Sequence, residues 1–189
     1  MKLYKITNLM CVSQDGQDDQ NKMDTEMMMK NGIGSVFDLR LSFPDDYLKR
    51  ERMDLMKAHI YYNLFPMDKM IDGPLMAMEH PTQWAMMDMA NVRICFHENE
   101  GQGVASMMAL VTLMKMGFDP KHSLEMLVAS GSVVNLSEQQ KKFLNLYGEY
   151  LIQKPFVKDE HEDMVLRQKM MEQMTQTPET PTKEYASVR

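Results

Sequence analysis

The sequence predicts an α/β domain: a mostly parallel central sheet of about five strands, flanked by helices on both faces. Three observations carry this. Short runs rich in Val, Ile, Phe and Tyr alternate along the chain with longer segments of helical period, the order that builds a parallel sheet covered on both sides. One run, Val92–Phe96, is apolar enough for a strand buried on both faces. The helix expected after it, Gln102–Met116, has a nearly all-apolar body and needs cover on most sides. Right-handed crossovers follow from such an order.

The elements read in sequence as follows. Leu3–Ile6 and Leu9–Ser13 form two short strands joined at Asn8. Lys22–Lys30 is a helix, stopped by Asn31-Gly32-Ile33-Gly34. Ser35–Leu39 suits a strand, Asp46–Lys57 is amphipathic and helical, and His59–Leu64 is the next strand. After the loop FPMDKMIDGP comes a helix over Leu75–Ala90, which Pro81 is expected to kink or divide. Strand Val92–Phe96 and helix Gln102–Met116 follow, with Gly117 as terminator. Asp119-Pro120 caps and starts a helix to about Ala129. Ser137 and Gln140 make a capping box for a helix running to about Ile152. The domain is therefore assigned to residues 1–153, a charged C-terminal helix to 154–175, and a Pro/Thr-rich tail without apolar periodicity to 176–189, expected to be disordered.

Composition narrows the function. Hydrophobic residues make up 44% and charged residues 25%, ordinary for a globular chain. The formal charge of -6 argues against nucleic acid or an acidic membrane as partner. The N-terminus lacks the apolar core of a signal peptide, and no apolar run reaches the roughly 18 residues of a membrane span. Cys11 and Cys95 both fall inside strands and read as reduced and buried, which places the protein in the cytoplasm. The 24 methionines are read as core and helix fillers. Thioether metal binding through pairs such as Met171 and Met174 is the weaker alternative.

The segment Val92–Leu110, VRICFHENEGQGVASMMAL, is the most informative. A strand, a glycine-containing loop and a buried helix in succession build an anion cradle, because loop amides and the helix N-terminus converge on one point. The order of SVFDLR, HIYYNLFPMD, CFHENEGQGVAS and the closing GFDPKHSLEMLVASGSVVNLSEQQKKFLNLYGEYL resembles the protein tyrosine phosphatase superfamily, in its small dual-specificity-like bacterial form. The resemblance covers about Leu3 to Leu151.

That resemblance implies a signature loop of His-Cys, five residues, then Arg and a hydroxyl residue. Aligning the glycines puts His97 on the histidine, Glu98 on the nucleophilic cysteine, Val104 on the arginine and Ala105 on the hydroxyl residue. Cys95 does not serve instead, since Gly101 stands where its arginine would be. The anion-binding loop is thus His97, Glu98, Asn99, Glu100, Gly101, Gln102, Gly103 and Val104. Asp68 best matches the family's general acid, here vestigial, with Asp72 second. Asp38 and Arg40 match an element at the site edge and are expected to form an ion pair or loop anchor. Ala129-Ser130 stands where an arginine is common, and Gln139 or Gln140 could face the pocket.

Each departure has a chemical cost. A carboxylate attacks a phosphate monoester far less readily than a thiolate at a helix N-terminus. Val104 lacks the guanidinium fork that clamps phosphoryl oxygens. Glu98 is instead expected to fold its own carboxylate onto the loop amides and helix terminus. The sequence therefore suggests a catalytically inactive phosphatase-like domain, a pseudophosphatase with a binding or scaffold role. It needs no cofactor and no metal, although His97, Glu98 and Glu100 are close enough in sequence to raise the question. The expected partner is a protein or a weakly bound anion, and the expected state a monomer. The alternative is a hydrolase of phosphate esters using Glu98 and Asp68, whose carboxyl pKa values would have to be pushed apart.

Overall fold

The computed structural model describes residues 1–15, 23–40, 45–67, 75–99, 103–132, 134 and 136–154, with six scattered positions beyond (162, 165, 168, 169, 172 and 173). Among the described residues the elements run β1 (Lys2–Lys5), β2 (Met10–Asp15), α1 (Thr25–Lys30), β3 (Ile33–Asp38), α2 (Asp45–Lys57), β4 (Tyr61–Leu64), α3 (Leu75–Met89), β5 (Arg93–Asn99), α4 (Val104–Lys115), α5 (Pro120–Ala129) and α6 (Glu138–Gln153).

The strands form one sheet in the order β1-β2-β5-β3-β4. β2, β5, β3 and β4 run parallel, but β1 pairs antiparallel with β2. The sheet is therefore mixed, not the mostly parallel one expected. The reason is local: four residues between β1 and β2 leave room only for a hairpin, since a parallel return needs a crossover of a dozen residues or more.

Alternation along the strands divides the core between two faces. Met10 and Val12 of β2, Phe37 of β3, and Ile94 and Phe96 of β5 join α3 and α4 in the larger cluster, which α5 and α6 extend. Cys11, Val36 and Cys95 point the other way, onto Met28 of α1 and Leu55 of α2. Helices thus cover both faces, as the sequence implied. In α4 every residue from Val104 to Met114 is buried.

Helix ends follow the expected chemistry where a side chain can act as cap. Asp119 accepts the His122 N–H at 3.0 Å, and Ser137 with Gln140 forms the capping box of α6. Gln140 is consumed there, its Oε1 accepting the Ser137 N–H at 2.8 Å, while Gln139 is exposed. Asp24 caps α1 by accepting from Met27, and the helix starts at Thr25, three residues later than the expected Lys22.

Three readings are corrected. Pro81 does not divide α3, which runs unbroken around it. His59 is no strand residue: at φ 57° it ends α2 in the left-handed region, with its N–H on the Met56 carbonyl and the Ile60 N–H on that of Leu55. Gly34 belongs to β3 and does not end a helix. A β-carbon there would come within 2.6 Å of Val92 Cβ, so the glycine permits a close approach at an irregularity in the β3–β5 register.

Among the described residues, no helix is long and apolar enough to cross a membrane. The charged helix expected over 154–175 is described only at its first residue and at the scattered positions, all six of which are helical and exposed. The tail 176–189 lies outside the described residues.

Candidate functional site

The site is built where β5 hands over to α4. Both ends of this handover differ from the sequence reading. β5 continues through His97, Glu98 and Asn99, and α4 begins at Val104. β2 holds this extension, with Ser13, Gln14 and Asp15 in register with His97, Glu98 and Asn99. Polar side chains conceal such a strand end from any search for apolar alternation. Glu100, Gly101 and Gln102 lie outside the described residues.

Successive residues of β5 point to opposite faces. His97 faces the α1–α2 side and is fully buried, with Nδ1 2.8 Å from Ser13 Oγ. The Cys95 thiol donates to the same Ser13 oxygen at 3.2 Å. His97 is thus a fixed structural group, oriented by a serine that the sequence reading did not single out.

Glu98 faces α4 and is equally buried, at 0% exposure. Its Oε1 accepts from Gln14 Nε2 at 2.7 Å, and its Oε2 accepts the Ala105 N–H at 2.8 Å. This contact answers a defect in the helix start. The N-cap residue is Gly103, at φ 73°, and it has no side chain to receive the free amides of the first turn. Glu98 reaches across from the strand and acts as the cap, with its negative charge at the positive end of the helix. Burial pushes its carboxyl pKa above the ordinary value, and the amides of Ala105, Gln14, Val104 and Gly103 oppose that shift only in part.

No cation faces Glu98 among the described residues. Val104, at 1% exposure, and Ala105, at 0%, belong to the main apolar core. Two buried oxygens close by in sequence, Asn99 Oδ1 and Ser106 Oγ, have no hydrogen-bond partner among the described residues.

A second polar cluster sits on the opposite face. Arg40 clamps Asp38 through Nε at 2.8 Å and Nη2 at 2.7 Å, and Nη2 also reaches Glu51 Oε2 at 2.6 Å. Tyr62 donates its hydroxyl to Asp38 at 2.7 Å, and Glu51 accepts the Met23 N–H at 2.9 Å. Burial alone would lower the Arg40 pKa, but the two carboxylates override it and hold the guanidinium charged. Burial and the Asp38 charge push the Tyr62 hydroxyl pKa well up. Asp38 and Arg40 are the ion pair that the sequence suggested. Glu51 was not foreseen, because an acidic residue on a charged helix looks like any other solvated one.

Asp68 and Asp72, the candidate acids, lie outside the described residues. No group of three or more His, Cys, Asp or Glu side chains is arranged to hold a metal among those described. Ser130 donates to the Leu127 carbonyl at 2.6 Å and so finishes α5.

In fold the chain is similar to solved tyrosine and dual-specificity phosphatases. PTPMT1 superposes with a TM-score of 0.66 at 12% identity, over 82% of this chain and 99% of that one. A putative phosphatase (DUF442) from Shewanella putrefaciens CN-32 gives 0.56 at 15%, over 78% and 91%. A mouse putative dual specificity phosphatase, solved with zinc tungstate, gives 0.61 at 13%, over 84% and 93%. At these identities the likeness is one of fold. No family model and no curated protein sequence matches the chain.

Proposed function

We propose that this domain is a catalytically silent phosphatase-like module, a cytoplasmic monomer that binds or scaffolds another protein. The observation that carries the reading is the Glu98 carboxylate seated on the Ala105 N–H at the mouth of α4. In the aligned loop this is the nucleophile's position, and the group there already occupies a helix-terminal amide that a phosphoryl oxygen would need. A phosphate dianion approaching the charged form meets repulsion of about 4 kcal/mol per unit charge at 4 Å and an effective dielectric near 20. Val104 at the arginine position is buried among apolar side chains and offers no compensating charge.

The rival reading, a hydrolase using Glu98 with Asp68, draws support from one property: burial raises the Glu98 pKa in the direction that a general acid requires. Hydrolysis of p-nitrophenyl phosphate across a range of pH separates the two. The expected result is no release above a buffer blank. Release that disappears in Glu98→Ala would establish the rival.

The loop assignment has its own test. Tungstate, present with zinc in the mouse structure, is expected to bind the parent domain very weakly. The double variant Glu98→Cys, Val104→Arg should bind it measurably better, with folding checked by cooperative urea unfolding. A folded double variant with no gain in affinity would overturn the alignment of Glu98 and Val104 with the signature residues.

A further inference from the structure

The two cysteines play no part in the proposed role, yet the sheet sets them side by side. Cys11 of β2 and Cys95 of β5 are register partners in a parallel ladder. Both belong to the cluster under α1 and α2, so their thiols leave the sheet on the same face. Neighbouring strands lie about 4.8 Å apart, which falls inside the ~4.4–6.8 Å Cα separation that a disulfide spans. Both thiols are free and buried. We propose that Cys11 and Cys95 are a two-electron redox site, closing to a cross-strand disulfide in the presence of a small disulfide such as oxidised glutathione.

Cys11 is the entry point. Burial pushes both thiols up, and at Cys11 the charges of Arg93 and Lys5 oppose that rise in part. The cover over this cluster includes Met1 and Leu3, which are only partly buried. β1 is a four-residue edge strand that carries Leu3 of this cover, so its fraying would thin the cover over Cys11.

The chemistry balances. The Cys11 thiolate attacks one sulfur of oxidised glutathione, giving a mixed disulfide and one glutathione thiolate. The Cys95 thiolate then attacks Cys11 Sγ and displaces the second. The two protein thiols are oxidised by two electrons, and their protons end on two molecules of reduced glutathione. Once closed, Cys95 no longer donates to Ser13, and a covalent link ties β2 to β5 three residues before Gln14 and Glu98. The oxidation state is thereby registered beneath the carboxylate that caps α4. The proposal does not depend on whether the domain is silent.

The test uses the full chain in buffers of graded reduced and oxidised glutathione, followed by acid quenching, alkylation under denaturing conditions and peptide mass analysis. Both alkylation sites are expected to disappear together as the buffer becomes oxidising, with a loss of two hydrogens and a linked peptide joining residues 11 and 95. Cys11→Ser and Cys95→Ser should each abolish that linked species. A second arm refolds the reduced chain from urea into the same buffers, so that access to the native thiols is not limiting. Linkage in either arm supports the proposal. Two thiols still alkylatable in both arms, independent glutathione adducts on each cysteine, or linkage only between chains would overturn it.

Discussion

The two buried carboxylate sites on opposite faces of the sheet solve one problem in two ways. Asp38 and Glu51 share the guanidinium of Arg40, and Tyr62 and the Met23 amide take further oxygen positions. Among the described residues Glu98 has no cation and relies on amide groups: Gln14 from β2 and the start of α4. A guanidinium brings a full charge and a fork that fits a carboxylate. Helix-end amides bring partial charges, amounting to about half a unit at the terminus. The Arg40 site is therefore a charge anchor between β3 and α2. The Glu98 site is a cap without a counter-charge among the described residues, and burial pushes its carboxyl pKa up.

Breaking the anchor should have the largest effect. Arg40→Met leaves Asp38 and Glu51 buried without a counter-charge, and a loss of about 3–5 kcal/mol is expected in urea unfolding. Arg40→Lys keeps the charge but not the fork, so it should fall between. A cost near zero for Arg40→Met would show that the carboxylates find other partners and erase the contrast.

Removing the cap should cost less. Glu98→Ala strands the Ala105 amide and the Gln14 side chain, for a loss of about 1–3 kcal/mol by the same measurement.

The comparison sharpens with pH. Burial raises the folded pKa of Glu98 above the unfolded value of about 4.3. The folded chain then holds this proton more tightly, so the contribution to stability is complete below about pH 4.3 and is lost as pH rises through the folded pKa. Every tenfold gain in proton affinity on folding corresponds to about 1.4 kcal/mol. Glu98→Gln fixes the neutral form. It should flatten the stability profile above about pH 4.3, while its single acceptor oxygen leaves one of the two donors, Gln14 Nε2 or the Ala105 N–H, without its bond. A profile as steep as the parent's would assign the slope to other groups.

Tyr62→Phe should show the smallest effect, about 1 kcal/mol, because Asp38 keeps its hydrogen bonds from Arg40.

What the sequence revealed and what it hid divide along the same line. Apolar runs and local caps were legible: α4 as a buried helix, Asp119 before Pro120, Ser137 paired with Gln140. Those signals act over one to four residues. The site partners act over long separations. Gln14 meets Glu98 from 84 residues away, and Ser13 meets His97 across the same gap. Neither has a local pattern to announce it, since a polar residue at a strand end is the usual solvated kind. For the same reason β5 runs past Phe96 unforeseen: its last turns of pleat carry His, Glu and Asn. The expectation that Glu98 would settle on a helix terminus was accessible because a carboxylate before a glycine-led helix start has few better partners. The identity of its second partner needed the sheet order.

That order also governs how the molecule is made. β5 lies between β2 and β3, which do not touch each other, and it is the last strand to leave the ribosome. Until residue 99 is synthesised, β2 and β3 each present an open edge, the kind of surface that invites pairing with another chain. The hairpin of β1 and β2 and the pair of β3 and β4 are joined in the sheet through β5. The same placement of β5 brings Val92 against Gly34 and Glu98 to the cap of α4.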